Sequence, residues 1–133
     1  MKLSLLATAA LLALSTASQG AERFSVEVSG SGPAMILIPG LACDGSVWDD
    51  TVERYRSDFE IHTLSLAGFG ATPARDHGDA LLQSVTDELA AYIEQERLED
   101  PVLVGHSLGG FVSLKLAAEH PDTVSKILIV DGL

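Results

Sequence analysis

Apolar and polar positions follow two rhythms along this chain, and the change from one to the other marks its elements. Phe24-Ser25-Val26-Glu27-Val28 alternates strictly, as a strand with one wet face does. Met35-Ile36-Leu37-Ile38 is a continuous apolar run halted by Pro39-Gly40, which suits a strand buried on both faces. Ile61 to Leu66, closed by Ala67-Gly68-Phe69-Gly70, predicts a third strand; Val102-Leu103-Val104 and Ile127-Leu128-Ile129-Val130 predict a fourth and a fifth. Between these runs the period lengthens. Asp44 or Ser46 can cap a helix carrying Val47, Trp48 and Val52. From Leu81 to Leu98 apolar residues recur at Leu82, Val85, Leu89, Tyr92 and Ile93, the three-and-four spacing of a helix face. A third helix, Leu108 to Glu119, ends at His120-Pro121, because a residue before proline avoids helical angles. Strands alternating with helices predict an α/β fold: a mostly parallel sheet with helices on both faces, joined by right-handed crossovers.

The first twenty residues stand outside this alternation. Lys2 is their only charge, and an unbroken run of small and apolar residues from Leu3 to Leu14 follows it. A positive start, an apolar stretch and small residues at the exit predict a signal peptide over residues 1–20, cleaved after Ala17 or Gly20. An uncleaved membrane helix is the alternative. It needs about 20 apolar residues, and this run gives way early to Ser15, Thr16, Ser18 and Gln19. The expected destination is therefore export, periplasmic or secreted, with no membrane contact after cleavage and residues 21–133 forming part of one domain. No cysteine near the exit offers a lipid attachment point.

Charge and cysteine content narrow the partners. Eight basic residues face 19 acids, for a formal net charge of −11, and Lys2 leaves with the signal. So acidic a chain disfavours nucleic acid and anionic membrane surfaces, which leaves a small molecule as the expected partner. Cys43 is the single cysteine, so no intrachain disulfide can form despite an oxidising destination. It is expected to pack as a small hydrophobe rather than act as a thiol.

Gly105-His106-Ser107-Leu108-Gly109 fits the pattern G-x-S-x-G, placed where a buried strand runs directly into a helix. The glycines have a steric reason. On so tight a turn the positions two before and two after the serine pack against each other, and side chains there would collide. The turn lifts the Ser107 hydroxyl clear of the sheet, next to unpaired N–H groups at the helix N-terminus. A negative charge developing on a tetrahedral oxygen needs fixed donors on more than one side. The expected pair is the backbone N–H of Leu108 and that of Leu41, the latter in the Pro39-Gly40-Leu41 loop after the neighbouring buried strand.

Several pieces in this order resemble the N-terminal half of an α/β-hydrolase-fold enzyme. They are Ile36-Leu37-Ile38-Pro39-Gly40, Trp48, Leu66-Ala67-Gly68-Phe69-Gly70, Val104-Gly105-His106-Ser107-Leu108-Gly109-Gly110 and Ile127-Leu128-Ile129-Val130-Asp131. The family often has His-Gly where this chain has Pro39-Gly40; the exchange spares the backbone donor and removes a side chain that can support the loop. The resemblance implies a serine hydrolase acting on an ester or related small substrate through Ser107, with no cofactor and no metal. It implies a sheet of about eight strands, a lid after the strand ending at Asp131, and a catalytic histidine near the C-terminus, so the fold is expected to be incomplete at Leu133. The family's order is serine, acid, histidine. Asp131 is the candidate acid, since some relatives carry theirs after this strand. None of the four histidines stands in the family's place. His106, His62 and His120 are expected to be structural, and His77, among Asp76, Gly78 and Asp79, reads as a polar loop residue. A non-catalytic exported fragment or binding remnant of the fold is the other reading. The strand Ile127 to Val130 is expected to lie at the sheet edge, where the fragment would self-associate.

Overall fold

A computed structural model describes residues 23–74 and 80–132. Residues 1–20, read as a signal peptide, and His77 lie outside the described residues. Five strands form one sheet: β1 (Phe24–Gly30), β2 (Ala34–Ile38), β3 (Glu60–Leu66), β4 (Val102–His106) and β5 (Lys126–Val130). A 3-10 turn at Gly45–Trp48 leads into α1 (Asp49–Tyr55); α2 (Leu81–Gln95) and α3 (Leu108–Glu119) complete the described elements. The strand order is β1-β3-β2-β4-β5, with β1 antiparallel to β3 and every other pairing parallel.

β2 lies in the middle, and every one of its residues is buried. Its inward neighbours explain why. Ile36 faces His62 on one side and Leu103 on the other, while Leu37 faces Thr63 and Val104. On one face Ile36, Ile38, Leu64, Leu66 and Leu103 pack with Val85, Leu89 and Ile93 of α2 and Val112 and Leu116 of α3. On the other, Met35, Leu37, Ile61 and Val104 pack around Trp48, with Val52 of α1 against them. Helices thus cover both faces. Each fully buried Leu or Ile contributes about 1.5–3 kcal/mol of transfer free energy, so this double-sided layer is what holds the central strands in place.

Among the boundaries that differ from the sequence expectation, three have a clear local cause. α2 ends at Gln95 instead of Leu98. Arg97 enters the left-handed region at φ 54, Leu98 N–H donates to the Ile93 carbonyl (3.0 Å) and Arg97 N–H to Glu94 (3.1 Å). That pair of bonds is a Schellman ending. Leu98 still packs on the core, so the apolar period outlasts the helix. The first predicted helix is split, with Asp44 capping the 3-10 turn by accepting from Ser46 N–H (3.0 Å). β4 runs two residues further, to His106, because its register continues through Gly105 opposite Ile129 and His106 opposite Val130.

Among the described residues β5 lies at one edge of the sheet, as expected, and β1 at the other. Ile127 and Ile129 turn partly inward, whereas Lys126, Leu128 and Val130 are exposed, Leu128 at 57% and Val130 at 41%. From β2 the chain crosses by α1 to β3 on one side, then returns by α2 to β4 on the other. The loops leaving β2 and β4 therefore diverge from adjacent strand ends. Such a switch point opens a crevice at the carboxyl edge of a parallel sheet.

Candidate active site at the β2–β4 switch point

Ser107 stands at that switch point, between the last residue of β4 and the first of α3. Its backbone is at φ 49, ψ −112. L-residues rarely adopt such angles, and they persist only where the surroundings over-determine them. The surroundings here are backbone on two sides. A Cβ on Gly105 would collide with the Gly109 carbonyl and lie 2.6 Å from Gly110 N. One on Gly109 would strike the Ile38 carbonyl, 2.8 Å from its carbon. Strand β2, the turn and α3 therefore touch where side chains are missing. Ser107 N–H donates to the Val130 carbonyl (3.0 Å), and the Ser107 carbonyl accepts from Gly110 N–H (2.8 Å) and Phe111 N–H (3.3 Å).

The two expected donors sit on either side of this turn. Leu108 opens α3, so its N–H has no carbonyl a turn earlier to meet. Leu41 is the second residue of a tight turn closed by Cys43 N–H on the Gly40 carbonyl (3.2 Å), with Ala42 at φ 62. That turn bond joins its first and fourth residues, so the Leu41 N–H is not used by it. Gly40 brings the loop to the serine: a Cβ there would lie 3.4 Å from Ser107 Cβ and 2.7 Å from His106 Nδ1. Leu41 is 63% exposed, so core packing does not fix its position. Cys43, expected to be buried, is only partly so, because its loop runs along the surface.

The described histidines have structural places. His62 is 3% exposed; its Nδ1 meets the Tyr92 hydroxyl (2.7 Å) and its Nε2 the Glu60 carboxylate (3.1 Å). Burial, together with the charges of Glu96 and Glu60, pushes the Tyr92 phenol up to about 12. His106 packs on Gly40, and His120 closes α3 through its N–H on Leu116 (2.7 Å). Asp131, exposed and at φ 50, directly follows the Val130 carbonyl that holds Ser107 N–H. Among the described residues no imidazole hydrogen-bonds either the Ser107 hydroxyl or Asp131.

Asp44 makes one contact that the sequence reading did not foresee. Asp44 accepts not only from Ser46 but also from Ala71 N–H (3.3 Å), 27 residues away. The cap was readable from local sequence; the longer bond had no local signal. A cleft of about 1070 Å³ lies between β1 and α2, with Phe24, Val26, Ala91 and Tyr92 in its wall and Asp44 and Ala71 on its border. Ser107 is not part of it.

Comparison with known proteins matches this arrangement. The model of the "Alpha/beta hydrolase family" covers residues 35–133. The pimeloyl-(acyl-carrier protein) methyl ester esterase of Vibrio parahaemolyticus is 38% identical over 101 residues, 76% of this chain and 37% of that protein. Among solved structures, E-2-(acetamidomethylene)succinate hydrolase is similar at 27% identity with a TM-score of 0.75, over 83% of this chain and 41% of that one. A marine microorganism esterase is similar at 26% identity with a TM-score of 0.73, over 82% and 41% respectively. The chain thus spans about two-fifths of the length of the relatives it matches. With a family model matched from β2 to the end of the chain, and a TM-score of 0.75 to a solved hydrolase, this chain belongs to the alpha/beta hydrolase family.

Proposed function

We propose that these residues form the nucleophile and oxyanion half of a serine-hydrolase site, in a protein that hydrolyses a carboxylic ester or a related acyl substrate. The observation that carries this is the backbone of Ser107, φ 49 and ψ −112, wedged between a buried strand and a helix. In the proposed reaction the Ser107 hydroxyl oxygen attacks the substrate carbonyl carbon and gives its proton to a base. The carbonyl oxygen becomes an oxyanion facing Leu108 N–H and Leu41 N–H. As the tetrahedral centre collapses, the C–O bond to the leaving group breaks and the alcohol takes the proton back from the base. Water then releases the acyl group from Ser107 by the same steps in reverse order. No cofactor or metal enters this scheme.

The base is proposed to be a histidine supplied by sequence that the relatives have and this chain does not span, with Asp131 the candidate acid that orients it. The shared two-fifths of the relatives' length supports that division. Without its base such a site retains only about 10³–10⁴ of its acceleration over water. Lys2 and the apolar run from Leu3 to Leu14 support export, so the activity is proposed to be periplasmic or secreted. A fluorophosphonate probe tests the assignment on the full-length protein. Labelling at Ser107, lost in Ser107→Ala, is the expected result; no labelling, or equal labelling of the variant, overturns it.

A further inference from the structure

We infer that Asp44 is a positioning residue for the oxyanion loop, holding Leu41 in place by tying the segment after it to the loop that follows β3. The inference rests on the proposed role of Leu41 and deepens it. The turn Gly40–Cys43 contains Ala42 at φ 62, a non-glycine residue in the left-handed region. That costs about 1–3 kcal/mol and lasts only if both ends of the turn are held. The upstream end is held sterically, because Gly40 is pressed against His106 and Ser107. Downstream, Gly45 is pressed against β3, a Cβ there lying 2.8 Å from Thr63 Cγ2 and 3.0 Å from Ser65 Oγ, so the segment still to be held is the one between the turn and Gly45.

Asp44 supplies the hold. Its Oδ1 accepts from Ser46 N–H (3.0 Å) and from the Ser46 hydroxyl (2.5 Å). Its Oδ2 accepts from Ala71 N–H (3.3 Å) across the gap between the two loops. Gly70, at φ 54, is shaped around it: a Cβ at that position would lie 2.7 Å from Asp44 Cβ and Cγ. The next residue adds a second tie, Gly45 N–H donating to the Ser65 hydroxyl of β3 (2.8 Å). Capping a four-residue 3-10 turn requires one carboxylate oxygen; the second is committed to a different loop. Hydrogen bonds from the Ser46 hydroxyl, Ser46 N–H and Ala71 N–H hold the carboxyl below its ordinary range, so the tie stays charged at neutral pH. Asp44 touches no reacting atom. It acts through the position of the Leu41 N–H.

The test uses the full-length protein and two rates: fluorophosphonate labelling of Ser107, and turnover of an activated p-nitrophenyl ester. Asp44→Ala is expected to lower both about tenfold, with KM within about twofold and the thermal midpoint within a few degrees, because misplacing a donor by a fraction of an ångström acts on the transition state. Asp44→Asn keeps an oxygen for Ser46 and is expected to recover part of the loss. Unchanged rates in Asp44→Ala overturn the inference while leaving the nucleophile assignment intact. A fall that matches lost folded protein, with no recovery in Asp44→Asn, also overturns it. Failure of the unaltered protein to label removes the nucleophile assignment and this inference together.

Discussion

The Ser107 amide donates to the Val130 carbonyl at 3.0 Å, so the turn that carries the serine is hydrogen-bonded to the last residue of β5. A strand end and a strand-to-helix turn are thereby one rigid unit, and the strained angles of Ser107 are held from the sheet as well as from α3. Anything that loosens the end of β5 should reach the serine through this bond and through the adjoining His106–Val130 pairing.

The strain at Ser107 is measurable. Glycine tolerates φ 49, ψ −112 far better than any residue with a Cβ. Ser107→Gly is expected to be more stable than Ser107→Ala by about 1–2 kcal/mol, although neither can be labelled by a phosphonate. Urea unfolding of the two variants decides it, and coincident midpoints would mean the turn stores no strain.

Two adjacent glycines should respond differently to the same change. A Cβ at Gly109 meets the Ile38 backbone, 2.8 Å from its carbonyl carbon, and backbone cannot rotate away. Gly109→Ala should therefore cost about 2–3 kcal/mol through forced shifts. At Gly110 the near atom is Ile129 Cγ2 (2.8 Å), the end of a side chain that can turn. There the gain of about 1 kcal/mol in helix propensity should leave Gly110→Ala close to neutral. Equal losses in denaturant titrations would contradict this reading of the packing.

Residues 21–133 produced by themselves are expected to self-associate through β5. Among the described residues β5 pairs only with β4, and its exposed face carries Leu128 and Val130. Seven basic residues against 19 acids give residues 21–133 a net charge of −12, which opposes association, but salt screens it within about 8–10 Å, whereas strand pairing acts at contact. Light scattering at tens of micromolar should show a mass above the monomer, reduced by Leu128→Glu. A clean monomer with one cooperative unfolding transition would refute the prediction.

Tyr92 should mark the alkaline limit of stability. Its folded-state pKa is raised from 10.0 to about 12, chiefly by burial. A raised pKa contributes stability that is fully present below the unfolded value and is lost as pH rises through the folded one. Stability should therefore decline between about pH 10 and 12, and Tyr92→Phe should flatten that decline even though it deprives His62 of its hydroxyl partner. An unaltered slope between those pH values in the Phe variant would exclude Tyr92 as its source.

The sequence by itself determined the elements and the position of the turn. Met35–Ile38 reads as a strand buried on both faces because an unbroken apolar run has no wet side to offer, and G-x-S-x-G after Val102–Val104 announces its own sterics. These are matters of short-range backbone geometry, carried by residues a few positions apart. Boundaries were less secure where packing and backbone conformation parted company, as at Leu98, which keeps the helical apolar period after Arg97 has turned the chain. Only the tertiary structure decided which distant residues meet. That β3 lies between β1 and β2, that His62 finds Tyr92 30 residues on, and that Asp44 reaches Ala71 all depend on the path of the crossovers. No local pattern encodes such a path, because the residues at its two ends become neighbours only when the sheet has formed.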